Sequence, residues 1–101
     1  MQIQVDGIIY EPVTVKGDVK IFILQRGWVM VGRFERKGND CKLSQASVIR
    51  SWGTTKGLGE IASNGPTKDT KLDKTNGLVE FDYLTVVASI SCSEEKWKTA
   101  L

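Results

Sequence analysis

The stretch Arg50-Ser51-Trp52-Gly53-Thr54-Thr55-Lys56-Gly57-Leu58-Gly59-Glu60 gathers the residue types best suited to holding a small anionic ligand. Gly53, Gly57 and Gly59 let a backbone approach a ligand closely, and successive N–H groups leading into a helical turn offer donors to an anion. Thr54 and Thr55 add hydroxyls and Lys56 adds a cation, so phosphate is the natural guest. Two familiar phosphate motifs are absent. A Walker loop needs a Lys after its second glycine, whereas Lys56 precedes Gly57. Gly57-Leu58-Gly59-Glu60-Ile61-Ala62 matches G-x-G-x-x-A, but Asn64-Gly65-Pro66 halts any helix before a dinucleotide fold could form. A glycine-rich connection whose conformation simply excludes side chains is the competing reading.

Arg50 and Trp52 are two residues apart, which on a strand places them on one face. An indole beside a guanidinium can sandwich a nucleobase or another planar ligand. Core packing is the alternative for Trp52, and for Trp28 and Trp97 it is the expectation. Catalytic machinery is hard to assemble here. The chain has no histidine, which removes imidazole bases, imidazole metal ligands and histidine-activated nucleophiles. Glu80 and Asp82 alternate onto one strand face and read as wet surface, not as a carboxylate pair. Cys41 and Cys92 are far apart in sequence and complete no metal set, so both read as small, reduced core residues, and no metal or cofactor is expected. We expect a binding protein and not an enzyme.

The 101 residues suffice for one hydrophobic core, so residues 1–101 are expected to form a single domain. With 41% hydrophobic and 26% charged residues the chain lies well inside the globular regime and should fold. No apolar stretch approaches the roughly 20 residues that cross a bilayer, and the first residues carry no secretory pattern, so a cytoplasmic protein with no membrane association is expected. The net charge of +2 hides an asymmetry. Nine basic residues face three acidic ones between Lys16 and Lys56, whereas the remainder carries five basic and nine acidic residues. All four arginines lie in the basic part, a hint of an anionic partner. A solvated basic sheet edge is the plainer explanation. The acids interspersed with these cations argue against a nucleic-acid partner.

The elements that must position the loop read as mostly β. The fold class expected is a small antiparallel sheet, or a partly open barrel or sandwich, with one long loop, a short helical turn and a short C-terminal helix. Residues 1–52 read as hairpins. Asp6-Gly7 has the residue types of a two-residue turn between Ile3-Gln4-Val5 and Ile8-Ile9-Tyr10. Pro12 confines its strand to an edge, and further turns fall at Lys16-Gly17-Asp18 and Lys37-Gly38-Asn39-Asp40. Alternation puts Trp28, Met30 and Phe34 on one face. Residues 53–77 form the glycine-rich loop, with a helical turn at Leu58 to Ala62. Residues 78–92 hold the apolar run Leu84-Thr85-Val86-Val87-Ala88 and read as a central, doubly covered strand. Residues 93–101 form a terminal helix or tail carrying Trp97.

Trp52-Gly53-Thr54-Thr55-Lys56-Gly57-Leu58-Gly59 followed by Asn64-Gly65-Pro66, Thr70 and Leu72-Asp73 makes a recognisable pattern, together with Leu24-Gln25-Arg26-Gly27-Trp28-Val29 and Ala46-Ser47-Val48-Ile49-Arg50. From about Val19 to Cys92 the chain resembles a family of small bacteriophage and prophage proteins, uncharacterised domains with this W-G-T-T-x-G-L-G motif. The resemblance implies a counter-defence context, in which small β-rich oligomers sequester cyclic nucleotides or ADP-ribose derivatives made as immune signals. It assigns no catalytic residues. The expected partner is therefore a phosphorylated or nucleotide-like small molecule held by Arg50, Trp52, Gly53, Thr54, Thr55, Lys56, Gly57 and Gly59. A homo-oligomer is expected because so small a domain has little internal volume. The alternatives are an inhibitor that covers a host protein and a minor virion or assembly protein.

Overall fold

The computed structural model describes residues 17–54 and 56–101, together with two short strands, β1 (Gln2–Ile3) and β2 (Ile9–Tyr10). These two pair antiparallel as a sheet of their own, with Ile3 opposite Ile9. The opening hairpin therefore forms, but its register is one residue away from the Ile3 to Tyr10 pairing that a two-residue turn at Asp6-Gly7 would impose. Asp6, Gly7, Pro12 and Lys16 lie outside the described residues.

The main sheet contains β3 (Val19–Leu24), β4 (Val29–Lys37), β5 (Asp40–Ser51), β6 (Lys71–Lys74), β7 (Val79–Asp82) and β8 (Val86–Ser91). It is an open, antiparallel, mostly β architecture, as expected, with order β6-β5-β4-β3-β8. Strand β7 pairs with residues 40–43 of β5 and β6 with residues 47–51, so the two lie end to end along one edge. Gly38, at a φ of 61°, makes the two-residue β4–β5 turn with Asn39.

The β4–β5 ribbon bends. Its register shifts between Val31 and Arg33, opposite a bulge where Gln45 takes a φ of 50°. At Gly32 a Cβ would come within 3.1–3.2 Å of Ala46. Phe22 pairs with Met30, so Phe34 lies four residues further along the ribbon, about 13 Å away on a flat sheet. The two rings are instead 4.6 Å apart, and Phe81 of β7 stands 5.4 Å from Phe22. The far half of the ribbon thus folds back over the sheet and makes one core of Phe22, Met30, Leu43 and Ala46, flanked by Phe34 and Phe81.

The opposite face of the sheet carries Val19, Ile21, Val31 and Ile49 and is covered by two helices, α1 (Leu58–Asn64) and α2 (Glu94–Trp97). Trp97 is fully buried there and donates its indole N–H to Ile61 O at 2.8 Å. Arg33 fastens α2 to the sheet: both guanidinium ends reach the Glu94 carboxylate at 2.7 Å while Nε donates to Gln45 Oε1. This fork holds the Glu94 carboxyl below the usual carboxylate range. Helix α1 stops at Gly65, whose N–H donates to Ile61 O, where Asn64-Gly65-Pro66 placed the stop.

Three sequence expectations need correction. Residues 53–77 contain strand β6 as well as the helix, because Leu72 finds a place against the helix-covered core and so gives that stretch a buried side. Leu78 to Ser91 is not one central strand. It splits into β7 and β8 around a 3-10 turn at Tyr83–Thr85, and the two strands lie on opposite edges of the sheet. The ribbon's bend brings those edges close enough for three residues to join them. Trp28 does not join Met30 and Phe34 in the core, because it precedes β4 and is 55% exposed.

Cys41 is buried and Cys92 half-buried, and both are free thiols. Burial pushes the Cys92 thiol up from its ordinary 9.0 to about 11, against a smaller pull from a backbone hydrogen bond and from Lys20. The native state therefore holds this proton where the unfolded chain has lost it, and stability falls as pH rises from about 9 towards 11. Urea midpoints across that range should decline less steeply in Cys92→Ser than in the parent.

Candidate functional site

Strand β5 ends at Ser51, and its pairing with β6 shifts register between Ile49 and Ser51. The chain then turns through Gly53 at a φ of 66°. A Cβ on Gly53 would lie 2.4 Å from the Asp69 carbonyl carbon, so this glycine is needed because two backbones touch there. Hydroxyls staple those backbones together. Thr70 Oγ1 donates to Trp52 O at 2.7 Å, and Thr67 Oγ1 donates to Gly53 O at 3.1 Å. Thr67 and Thr70 also take the N–H groups of Asp69 and Thr67. The Trp52 loop is therefore held by a second loop, residues 67–70.

Between the two loops lies an open pocket of about 570 Å³, lined by Arg50, Ser51, Trp52, Gly53, Thr54 and Asp69. That volume is in the range of small-molecule sites, about 300–1,000 Å³. Trp52 is 39% exposed, so its indole contributes an apolar wall that a ligand can reach. Arg50 Nε donates to Asp73 Oδ2 at 2.5 Å, with both side chains more than half exposed. An exposed pair of this kind contributes at most about 1 kcal/mol, so a stronger anion can displace Asp73.

The structure brings Arg50, Trp52, Gly53 and Thr54 together and sets the rest of the expected loop apart. Lys56, Gly57 and Gly59 do not line the pocket, and Thr55 lies outside the described residues. The backbone donors expected for phosphate are occupied: the N–H groups of Lys56 and Gly57 both donate to Thr54 Oγ1 at 2.9 Å. Gly57 takes a φ of 83° with nothing near an added Cβ, so backbone conformation is what requires it. Helix α1 is seven residues long and already carries Glu60 in its first turn, where the helix's positive end favours a carboxylate.

Two lining residues, Ser51 and Asp69, were not in the expected set; Ser51 comes with its strand neighbours, while Asp69 arrives from the second loop. The signal for Asp69 was the pair Thr67 and Thr70, whose spacing builds a hydroxyl-stapled turn. The arginine cluster also changes meaning. Arg33 is committed to Glu94, and Arg36 lies 3.4 Å above the Tyr83 ring while donating to Gly38 O. Of the four arginines, then, two serve the fold and Arg50 enters the pocket. Glu80 and Asp82 behave as surface residues, with Asp82 Oδ1 accepting the Leu84 N–H at 2.8 Å. Among the described residues no group of acidic or cysteine side chains has the arrangement of a metal site, and no helix is long and apolar enough to cross a membrane.

Comparison with known proteins finds no family model that matches the chain and no curated protein significantly similar to it.

Proposed function

We propose that the protein captures a nucleotide-like, phosphorylated small molecule in the pocket between Trp52 and Asp69, without turning it over. The observation that carries this reading is the half-exposed Trp52 indole, held on a stapled loop beside an exchangeable Arg50. Trp52 supplies a stacking face for a base. Arg50 exchanges Asp73 for phosphate, and Asp69 accepts from hydroxyl or amino groups of the ligand. Thr54, whose hydroxyl already closes its own turn, contributes shape. Alongside the resemblance to phage proteins, capture without catalysis amounts to removal of a nucleotide-derived immune signal.

Calorimetric titration with cyclic dinucleotides and ADP-ribose derivatives tests this. Binding is expected for at least one member, and Trp52→Ala weakens it about 5- to 150-fold, the worth of one base stack at roughly 1–3 kcal/mol. Absence of heat across the whole panel overturns the proposal. The exposed Trp28 and Leu84 favour a second reading, a cover for a host protein. A stoichiometric protein retained from host lysate by the parent, and lost with Trp28→Ala, would move the assignment there.

A further inference from the structure

The two edges of the main sheet are built differently. The β6–β7 edge carries Lys71, Asp73, Lys74, Glu80 and Asp82, the charged side chains that keep an edge from pairing with other chains. The β8 edge has no such protection. Tyr83 to Cys92 contains no charged residue and no proline, and β8 hydrogen-bonds only to β3 among the described residues. Val87 is 66% exposed and Leu84 74%. Among the described residues no other strand pairs with β8, and β1 and β2 pair with each other in a sheet of their own.

We infer that β8 pairs with β8 of a second copy of this chain, joining two sheets across a two-fold axis. The ladder to β3 sets the register. Cys92 N–H donates to Val19 O and Lys20 stands opposite Ser91, so Ile90 and Ala88 direct their backbone groups at β3. Antiparallel alternation then turns the N–H and C=O of Ser89 and Ser91 outward. A two-fold through Ser89 places Ser89 against its own copy, Val87 against Ser91 and Ala88 against Ile90. Outward backbone groups meet outward groups at each hydrogen-bonding pair.

The absence of charge points to a second copy over an unrelated partner. A strand that pairs with itself sets like residues near like, so a charged edge repels its own copy and this uncharged one does not. Lys20, one strand inward, donates to Ser91 Oγ at 3.3 Å. Its symmetry mate stands at the other end of the ladder, because Ser91 faces Val87 there. Ile90 packs against the helix-covered core beside its partner Ile21, and Ala88 stands opposite Ile23.

Sedimentation equilibrium of the full chain over a concentration series tests the inference, and a mass twice that of the monomer is expected. Ser89→Pro removes an outward N–H without touching the β3 ladder, and Ser89→Lys sets two ammonium groups face to face. Each should yield a monomer whose far-UV circular dichroism matches the parent. If proline disturbs the strand, the lysine variant alone decides. Ser89→Cys in a Cys92→Ser background should form a disulfide-linked dimer on mild oxidation, since facing residues at a hydrogen-bonded position lie about 5.5 Å apart between Cα atoms. A parent that stays monomeric at every concentration overturns the inference, as does a dimer unmoved by Ser89→Lys.

Discussion

Trp97→Ala should cost the fold about 3–5 kcal/mol, the usual loss for truncating a large aromatic side chain in a core. Trp97 is fully buried at the meeting point of both helices and the sheet face of Val19, Ile21 and Val31. Helix α2 spans only four residues, too few to be stable without the packing that Trp97 provides. Domains of this size have total stabilities of about 5–15 kcal/mol, so the substitution removes a large share of the whole. Trp97→Phe separates the two contributions of the indole. It keeps most of the apolar contact and forfeits the hydrogen bond to Ile61 O, an oxygen that still accepts from Gly65 N–H at 2.8 Å. The phenylalanine variant should therefore fall well short of the alanine loss. Urea denaturation of the three proteins measures both differences, and equal losses would show that packing is not what Trp97 supplies.

Gly53→Ala should be the most damaging change at the pocket, at about 2–5 kcal/mol: a left-handed residue costs roughly 1–2 kcal/mol and an overpacked one about 1–3 more. The added methyl has no free space, since Asp69 and Thr70 backbone atoms stand within 2.4–2.7 Å of it. The loops must separate, which breaks the hydroxyl staples and moves Trp52. Gly57→Ala is the control, with a similar φ of 83° and no neighbour near the new methyl. It should lose only the conformational part, about 1–3 kcal/mol, since a ψ of −160° sets Gly57 in an extended positive-φ region that other residues rarely enter. Gly59 sits inside α1 with open space around it, so Gly59→Ala should gain about 0.5–1 kcal/mol. Thermal melts in this order, Gly59→Ala above the parent and Gly53→Ala lowest, would separate three glycines that look alike in one short motif. A Gly53→Ala melt equal to that of Gly57→Ala would mean that the two backbones can part freely.

That motif shows how much of the candidate site could be read in advance. Arg50, Trp52, Gly53 and Thr54 do come together, because their neighbourhood is local: a strand end, a turn and a side-chain hydroxyl acting within a few residues. The phosphate cradle imagined for the same loop depended on where its N–H groups would point. Thr54 takes two of them, which spacing alone does not decide. Asp69 enters the pocket through contacts across fourteen to eighteen residues of chain, from Thr67 to Gly53 and from Thr70 to Trp52. No local pattern reports such a pairing.

The fold divides in the same way. Alternating apolar residues, turn glycines and the Asn64-Gly65-Pro66 stop were sufficient for a mostly antiparallel β protein with two short helices, since each acts through backbone preference within a few positions. Tertiary structure alone decided the order of strands. The run Leu84 to Ala88 has the composition of a central strand, yet it begins in a 3-10 turn and continues along an edge. The bend at Gly32 and Gln45 closes the second core and brings the two edges within reach of a three-residue link, and only the register of four paired strands determines it. Hydrophobicity records that a residue prefers to leave water; it does not record which surface, of this chain or of another copy, will cover it.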